Sequence, residues 1–173
     1  TMESGKMDGQ IREFLEAVKT FPEIQFIATK SNADLGGAHI NELLEEAEGK
    51  ISNLHVFTSL GVRRYLSLMK YAEFVLGNSS SGIIETPAFH VPTVNIGDRQ
   101  RGRLRAASII DCGADTDSIV AAVHKAVSGR HRAVCRTVVS PYGSGHAAEQ
   151  IAAKSVEVVM NGRVDLKKKF YDL

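Results

Sequence analysis

The stretch FVLGNSSSGIIETPAFHVPTVNIGDRQRGR, residues 74–103, decides the fold. Phe74 to Leu76 reads as a short apolar strand, and GNSSSG follows it without a spacer. Ile83 to Phe89 reads as a short helix. Pro92 then opens the apolar run TVNI, at the position where a strand tolerates proline. Strand, hydroxyl-rich turn, helix and second strand make a crossover unit whose strands lie parallel.

The same alternation continues on both sides. Upstream, Ile11, Phe14, Leu15, Val18 and Phe21 recur at helical spacing until Pro22 stops the pattern. Ile24 to Thr29 reads as a buried strand, His39 to Glu48 as a helix, Leu54 to Phe57 as a strand and Arg63 to Tyr71 as a helix. Downstream, Ser108 to Asp111 reads as a fifth short strand and Asp117 to Ser128 as a helix. A last long helix is expected from about Gly145 to Asn161. Alternating strands and helices predict an α/β fold with a parallel sheet and helices on both faces. The strands are apolar throughout, as covered strands should be. Ligands bind such sheets beyond the carboxyl ends of the strands. The loops to inspect are therefore KSNADLGG, TSLG, GNSSSG and GDRQRGR.

Composition narrows the function. The 173 residues fit one domain, 1–173, with no internal repeat and no linker long enough to divide it. Apolar residues make up 43% and charged residues 24%, which excludes wholesale disorder. No apolar run approaches the ~18 residues that span a bilayer, so a soluble chain with no membrane partner is expected. The formal net charge is only +1, and there is no tryptophan, which argues against nucleic acid as a partner. The two cysteines, Cys112 and Cys135, have no zinc-finger spacing, and the six histidines form no HxxxH pair. Free structural thiols and no metal site are expected.

Chemistry concentrates in two loops. In GNSSSGIIE, residues 77–85, Ser79, Ser80 and Ser81 offer hydroxyl donors. Backbone N–H groups at a helix start suit phosphate, and Gly82 lets an oxygen approach the backbone. No lysine stands at Walker A spacing and there is no GxGxxG. The serine run is equally readable as a helix cap. Glu85 is either a helix-end acid worth ~0.3–1 kcal/mol or a carboxylate for two ribose hydroxyls. GDRQRGRLR carries Arg99, Arg101, Arg103 and Arg105; Arg99 stands closest to the strand end and is the one best placed to reach a pocket. Asn32 and Asp34 are turn residues or ligands, and His146 marks a glycine-flanked helix start.

GNSSSGIIE, HVPTVNIGDRQRGR, IIDCGAD and PYGSGHAA, in that order, resemble the carboxyl-terminal half of hydrolysing UDP-N-acetylglucosamine 2-epimerases of sialic-acid biosynthesis. The resemblance runs nearly end to end. It implies a Rossmann-like domain, similar to the second domain of a GT-B fold, that binds UDP and lacks the first domain with its catalytic acids. A start at Thr1 ahead of Met2 agrees with an excised piece. The family reaction eliminates UDP to give 2-acetamidoglucal, and water then yields N-acetylmannosamine; no redox cofactor is needed. Position by position, Ser79 and Ser80 resemble the diphosphate-binding serines, Glu85 the ribose glutamate and Arg99 an arginine of that pocket. Asn32 resembles a cleft asparagine, and Leu60 and Gly61 would face uracil. Ser144 and His146 depart from the family's YGDGNA loop. The resemblance also implies a cytoplasmic, homo-oligomeric parent enzyme and an inert fragment. A relative using the legionaminic-acid precursor, or a stand-alone nucleotide-binding regulatory module, is the alternative.

Overall fold

The computed structural model describes residues 4–31 and 36–162. They divide into two compact units, the first ending at Pro141 and the second beginning at Tyr142. In the first, the elements run α1 (Ser4–Lys19), β1 (Phe26–Thr29), α2 (Gly37–Glu48), β2 (Leu54–Phe57), α3 (Gly61–Tyr71), β3 (Val75–Gly77) and α4 (Ser81–Ile84). A 3-10 turn over Thr86–Phe89, β4 (Thr93–Ile96), β5 (Ile109–Cys112), α5 (Thr116–Val127) and α6 (Gly129–Arg136) follow. The second unit holds α7 (Ala147–Met160).

All strand pairs are parallel, as the crossovers require. β1 pairs with β2 from Phe26 opposite Leu54 to Thr29 opposite Phe57. β4 lies between β3 and β5, with Gly77 opposite Asn95 and Asn95 opposite Asp111. The ladders do not join: β1 and β2 form one sheet, and β3, β4 and β5 another. One core nevertheless serves both. Val18 of α1, Phe26 of β1, Leu54 of β2, Val94 of β4, Ile110 of β5 and Val123 of α5 are buried in a single cluster. Burial of such side chains stabilises by ~1.5–3 kcal/mol each. Helix α1 packs on both α2 and α5 over this core, while α4 packs on β3 and β4 and α3 on the 3-10 turn.

Local chemistry explains the boundaries. Pro22 does stop α1, and buried Asn53 takes up the carbonyls released there, donating to Phe21 O at 2.8 Å and Ile24 O at 2.9 Å. Asp115 caps α5 by accepting from Ser118 N–H at 2.9 Å. That hydrogen bond holds its carboxyl below the ordinary range. Glu13 of α1 accepts from Thr116 N–H at 2.8 Å, tying α1 to the start of α5, and is likewise held low by Thr116. Helix α6 was not expected from its polar sequence; Ser128 caps it by accepting from His131 N–H, and only His131 and Cys135 turn inward. Both cysteines are free. Burial, then the nearby Asp115 and Asp111 charges, push the Cys112 thiol up to about 11, which makes it a poor nucleophile. No helix among the described residues is long and apolar enough to cross a membrane, and no cluster there holds a metal.

Candidate functional site

The loops after β1, β2, β3 and β4 leave the carboxyl ends of those strands, and the candidate residues follow them. Asn32, beyond β1, lies outside the described residues, as does Asp34. Leu60 and Gly61 follow β2 and begin α3. Leu60 is half-buried, and the Gly61 N–H donates to Ser59 Oγ at 3.2 Å. The backbone there opens α3 with φ 64° at Gly61, a left-handed value that suits glycine.

The serine loop differs from a helix-start phosphate cradle. The helix expected over Ile83–Phe89 is instead the four-residue α4 followed by the 3-10 turn. So short a helix adds little dipole, since the macrodipole needs aligned turns. Gly82 N–H is spent on Ser79 O and Ile83 N–H on Ser80 O. The hydroxyls of Ser79, Ser80 and Ser81 stand in the same turn, Ser79 Oγ accepting from Ser81 N–H at 3.4 Å. Gly82 also has a packing task. A Cβ there would meet Thr93 Cγ2 at 2.9 Å, so the glycine lets α4 sit against β4. Buried Thr86 fastens the same contact, with its hydroxyl 2.6 Å from both Gly82 O and Thr93 Oγ1.

Glu85 stands at the end of α4, not inside a longer helix. Its Oε2 is buried and has no hydrogen-bond partner. A buried acceptor left unmatched costs ~1–3 kcal/mol, so native sites rarely keep one without a use. Two further side chains at this edge share the property: Asn95 Oδ1, near the end of β4, and Gln100 Oε1, in the loop beyond it.

Gln100 was not singled out in the sequence, where it sits unmarked among arginines. It is 5% exposed and donates to Asn78 O at 2.8 Å, which fastens the loop after β4 to the serine loop. The arginines are not equivalent. Arg99, Arg101 and Arg103 are exposed. Arg105 organises the turn. Its guanidinium donates to Asp111 at 3.1 Å, to Gln100 O at 2.9 Å and to Arg103 O at 3.0 Å. Asp111 also accepts from Asn95 at 2.6 Å. The structure therefore brings the loop of Ser79, Ser80 and Glu85 together with the loop of Arg99 through Gln100. His146 caps nothing with its side chain; it is exposed in the second unit, 3.8 Å from Glu149.

Residues 2–155 match the family described as UDP-N-acetylglucosamine 2-epimerase. The chain is 48% identical over 103 residues, 59% of its length, to the Campylobacter jejuni GDP/UDP-N,N'-diacetylbacillosamine 2-epimerase (hydrolysing), of which it covers 27%. It is 32% identical over its whole length to the Escherichia coli polysialic acid biosynthesis protein P7, covering 44% of that protein. Its fold resembles that of a Listeria monocytogenes protein assigned as a UDP-N-acetylglucosamine 2-epimerase, with TM-score 0.73 and 16% identity, over 93% of this chain and 43% of that one. The Neisseria meningitidis enzyme bound to UDP-N-acetylglucosamine gives TM-score 0.64 and 15% identity, over 87% and 41%. The chain thus spans less than half the length of these relatives.

Proposed function

Because the chain belongs to the UDP-N-acetylglucosamine 2-epimerase family, we propose that it is the UDP-binding half of a hydrolysing member, a cytoplasmic enzyme whose other half carries the chemistry. The observation that carries this reading is the buried, unpartnered Glu85 Oε2 beside the serine loop. A carboxylate in that state is ready to accept from ribose hydroxyls, and the serine hydroxyls next to it are ready to donate to a diphosphate. Arg99 adds the charge for the same diphosphate. Leu60 and Gly61 offer backbone to the uracil, and Asn32, outside the described residues, matches the family's cleft asparagine by sequence. No cofactor is required: UDP leaves by elimination across the sugar, and water adds to 2-acetamidoglucal to release N-acetylmannosamine. The whole enzyme would work as a homo-oligomer.

Calorimetry of this chain with UDP tests the reading, with CMP-sialic acid as the control. Saturable binding of UDP alone is expected; no heat with UDP at millimolar ligand overturns it. A second reading concerns the sugar. The 48% identity over 103 residues to the diacetylbacillosamine epimerase supports this alternative, in which the full-length enzyme takes a diacetamido sugar. Turnover of the two UDP-sugars by the full-length enzyme separates them.

A further inference from the structure

We propose that Gln100 is a positioning residue, one that holds the serine loop and the Arg99 loop in a single geometry so that both grip the same phosphates. Its side-chain amide can stand only one way round. Asn78 O has no hydrogen to give, so the Gln100 NH2 faces it and donates at 2.8 Å. The amide oxygen is thereby turned to the other side, where it is buried without a partner. Gln100 is buried in a loop whose Arg99, Arg101 and Arg103 lie in solvent. Burial of a glutamine costs rotamer freedom and hydration. Here it fixes one peptide of the serine loop.

That peptide is the one that leads into Ser79. A peptide is planar, so fixing the Asn78 carbonyl fixes the plane from which the Ser79 residue departs. Gln100 itself is held from the opposite direction. Its carbonyl accepts from Arg105 at 2.9 Å and from the Arg103 N–H at 3.3 Å. Arg105 donates to Asp111 of β5, and Asp111 accepts from Asn95 of β4. Upstream of Arg99, the Gly97 N–H donates to Cys112 O at 2.9 Å. Arg99 therefore sits between two anchored residues, Gly97 and Gln100, with its own side chain exposed. The serine loop is pinned on its far side as well, where Thr86 bridges Gly82 O and Thr93 Oγ1.

The bonds from Asn95 and Asp111 through Arg105 and Gln100 to Asn78 thus couple the two loops. An anion that binds both costs less ordering entropy when both already stand in place. This role rests on the uridine diphosphate reading above. Under it, Gln100 acts through Ser79 and Arg99, and so on the phosphate end of the ligand alone.

The test measures binding of uridine, UDP and pyrophosphate to this chain and to Gln100→Met, with NMR titration for the weak ligands. Methionine keeps the length of the side chain but has no N–H to donate. Affinity for UDP and pyrophosphate is expected to fall about tenfold, the size of one lost hydrogen bond, with uridine unchanged. Gln100→Asn keeps the amide but draws it back by one methylene, and covers the case in which Gln100→Met fails to fold. It should lose about threefold for the same two ligands. A double-mutant cycle with Ser79→Ala supplies a readout that lost packing would not move. The two losses should fall well short of adding, because Gln100 acts through Ser79. Additive losses, or an equal fall for uridine, overturn the proposal. So does pyrophosphate binding by both Gln100 variants that equals the parent's. If pyrophosphate binding falls in the variants while the parent binds UDP no tighter than pyrophosphate, Gln100 keeps its role and the uridine reading fails instead.

Discussion

At the scale of single residues, the structure sorts groups that composition leaves equivalent. Glu85 holds a buried acceptor without a partner, whereas most acids of the chain lie in solvent. Glu85→Gln keeps the shape but turns one acceptor oxygen into a donor, leaving a ribose hydroxyl unmatched. UDP affinity is expected to fall about tenfold to a hundredfold, matching ~1–3 kcal/mol; an unchanged affinity in a folded variant would make Glu85 a helix-end charge. The arginines separate in the same way. Arg99→Ala should weaken UDP binding by ~1.5–3 kcal/mol with little change in stability. Arg103→Ala should do neither, staying within ~0.5 kcal/mol. Arg105→Ala should lower stability by about 1–2 kcal/mol, because partly exposed hydrogen bonds to Asp111, Gln100 and Arg103 are lost. Equal effects from all three, read by calorimetry and urea titration, would mean that the turn is only a basic patch.

At the scale of elements, patterning was readable wherever an apolar run met a breaker. The runs Leu54–Phe57 and Thr93–Ile96 are strands with the expected bounds, and Pro22 and Pro92 sit at the ends they were assigned. Helix α6 was unreadable because GRHRAVCR turns only two side chains inward, too few for a period to show. The helix after GNSSSG came out short because Glu85 and Pro87 divide it into a single α turn and a 3-10 turn. Of the site, the serine and arginine loops could be found from residue type. Gln100 and Asn95 could not, since a buried amide becomes meaningful only when its partner loops are known. The packing of Gly82 on β4 makes a firm expectation. Gly82→Ala drives a methyl into Thr93 Cγ2 at 2.9 Å, against a strand side chain already bonded to Thr86. Overpacking of this kind costs ~1–3 kcal/mol. A urea midpoint equal to the parent's would show that α4 slides freely on β4.

At the scale of the whole molecule, two coupled questions are stability against pH and activity. The cap of α5 ties the first helix to the last strand's follower through Glu13 and Asp115, both held low by hydrogen bonds. Their contribution is present above their ordinary values of 4.5 and 3.8 and is lost as pH falls through the lowered folded values. His39 acts with the opposite sign. The Asp8 hydrogen bond raises its pKa, so its contribution is present below its ordinary 6.5 and disappears as pH rises through the raised value. Thermal melts across pH should therefore flatten on the acid side in Glu13→Gln and on the neutral side in His39→Gln. Melts that superimpose on the parent in both variants would show that these surface bonds are screened away.

Turnover by this chain depends on which groups stand at its carboxyl edge. Eliminating UDP requires a base placed beside the sugar with its proton affinity matched to the task. Among the described residues, the serine loop and the loop after β4 carry hydroxyls, Gln100, arginines, an exposed Asp98 and Glu85, and Glu85 is taken by the ribose in the proposed pose. Binding alone, without a base and without a wall over the sugar, leaves the reaction at its uncatalysed pace, since only interactions made in the transition state accelerate it. The purified chain should thus bind UDP and yet release no N-acetylmannosamine from UDP-N-acetylglucosamine over hours at micromolar protein. Mixing in the upstream half of the parent enzyme should restore turnover. Product formed by this chain alone, and abolished by Glu85→Gln, would move Glu85 from the ribose to the chemistry.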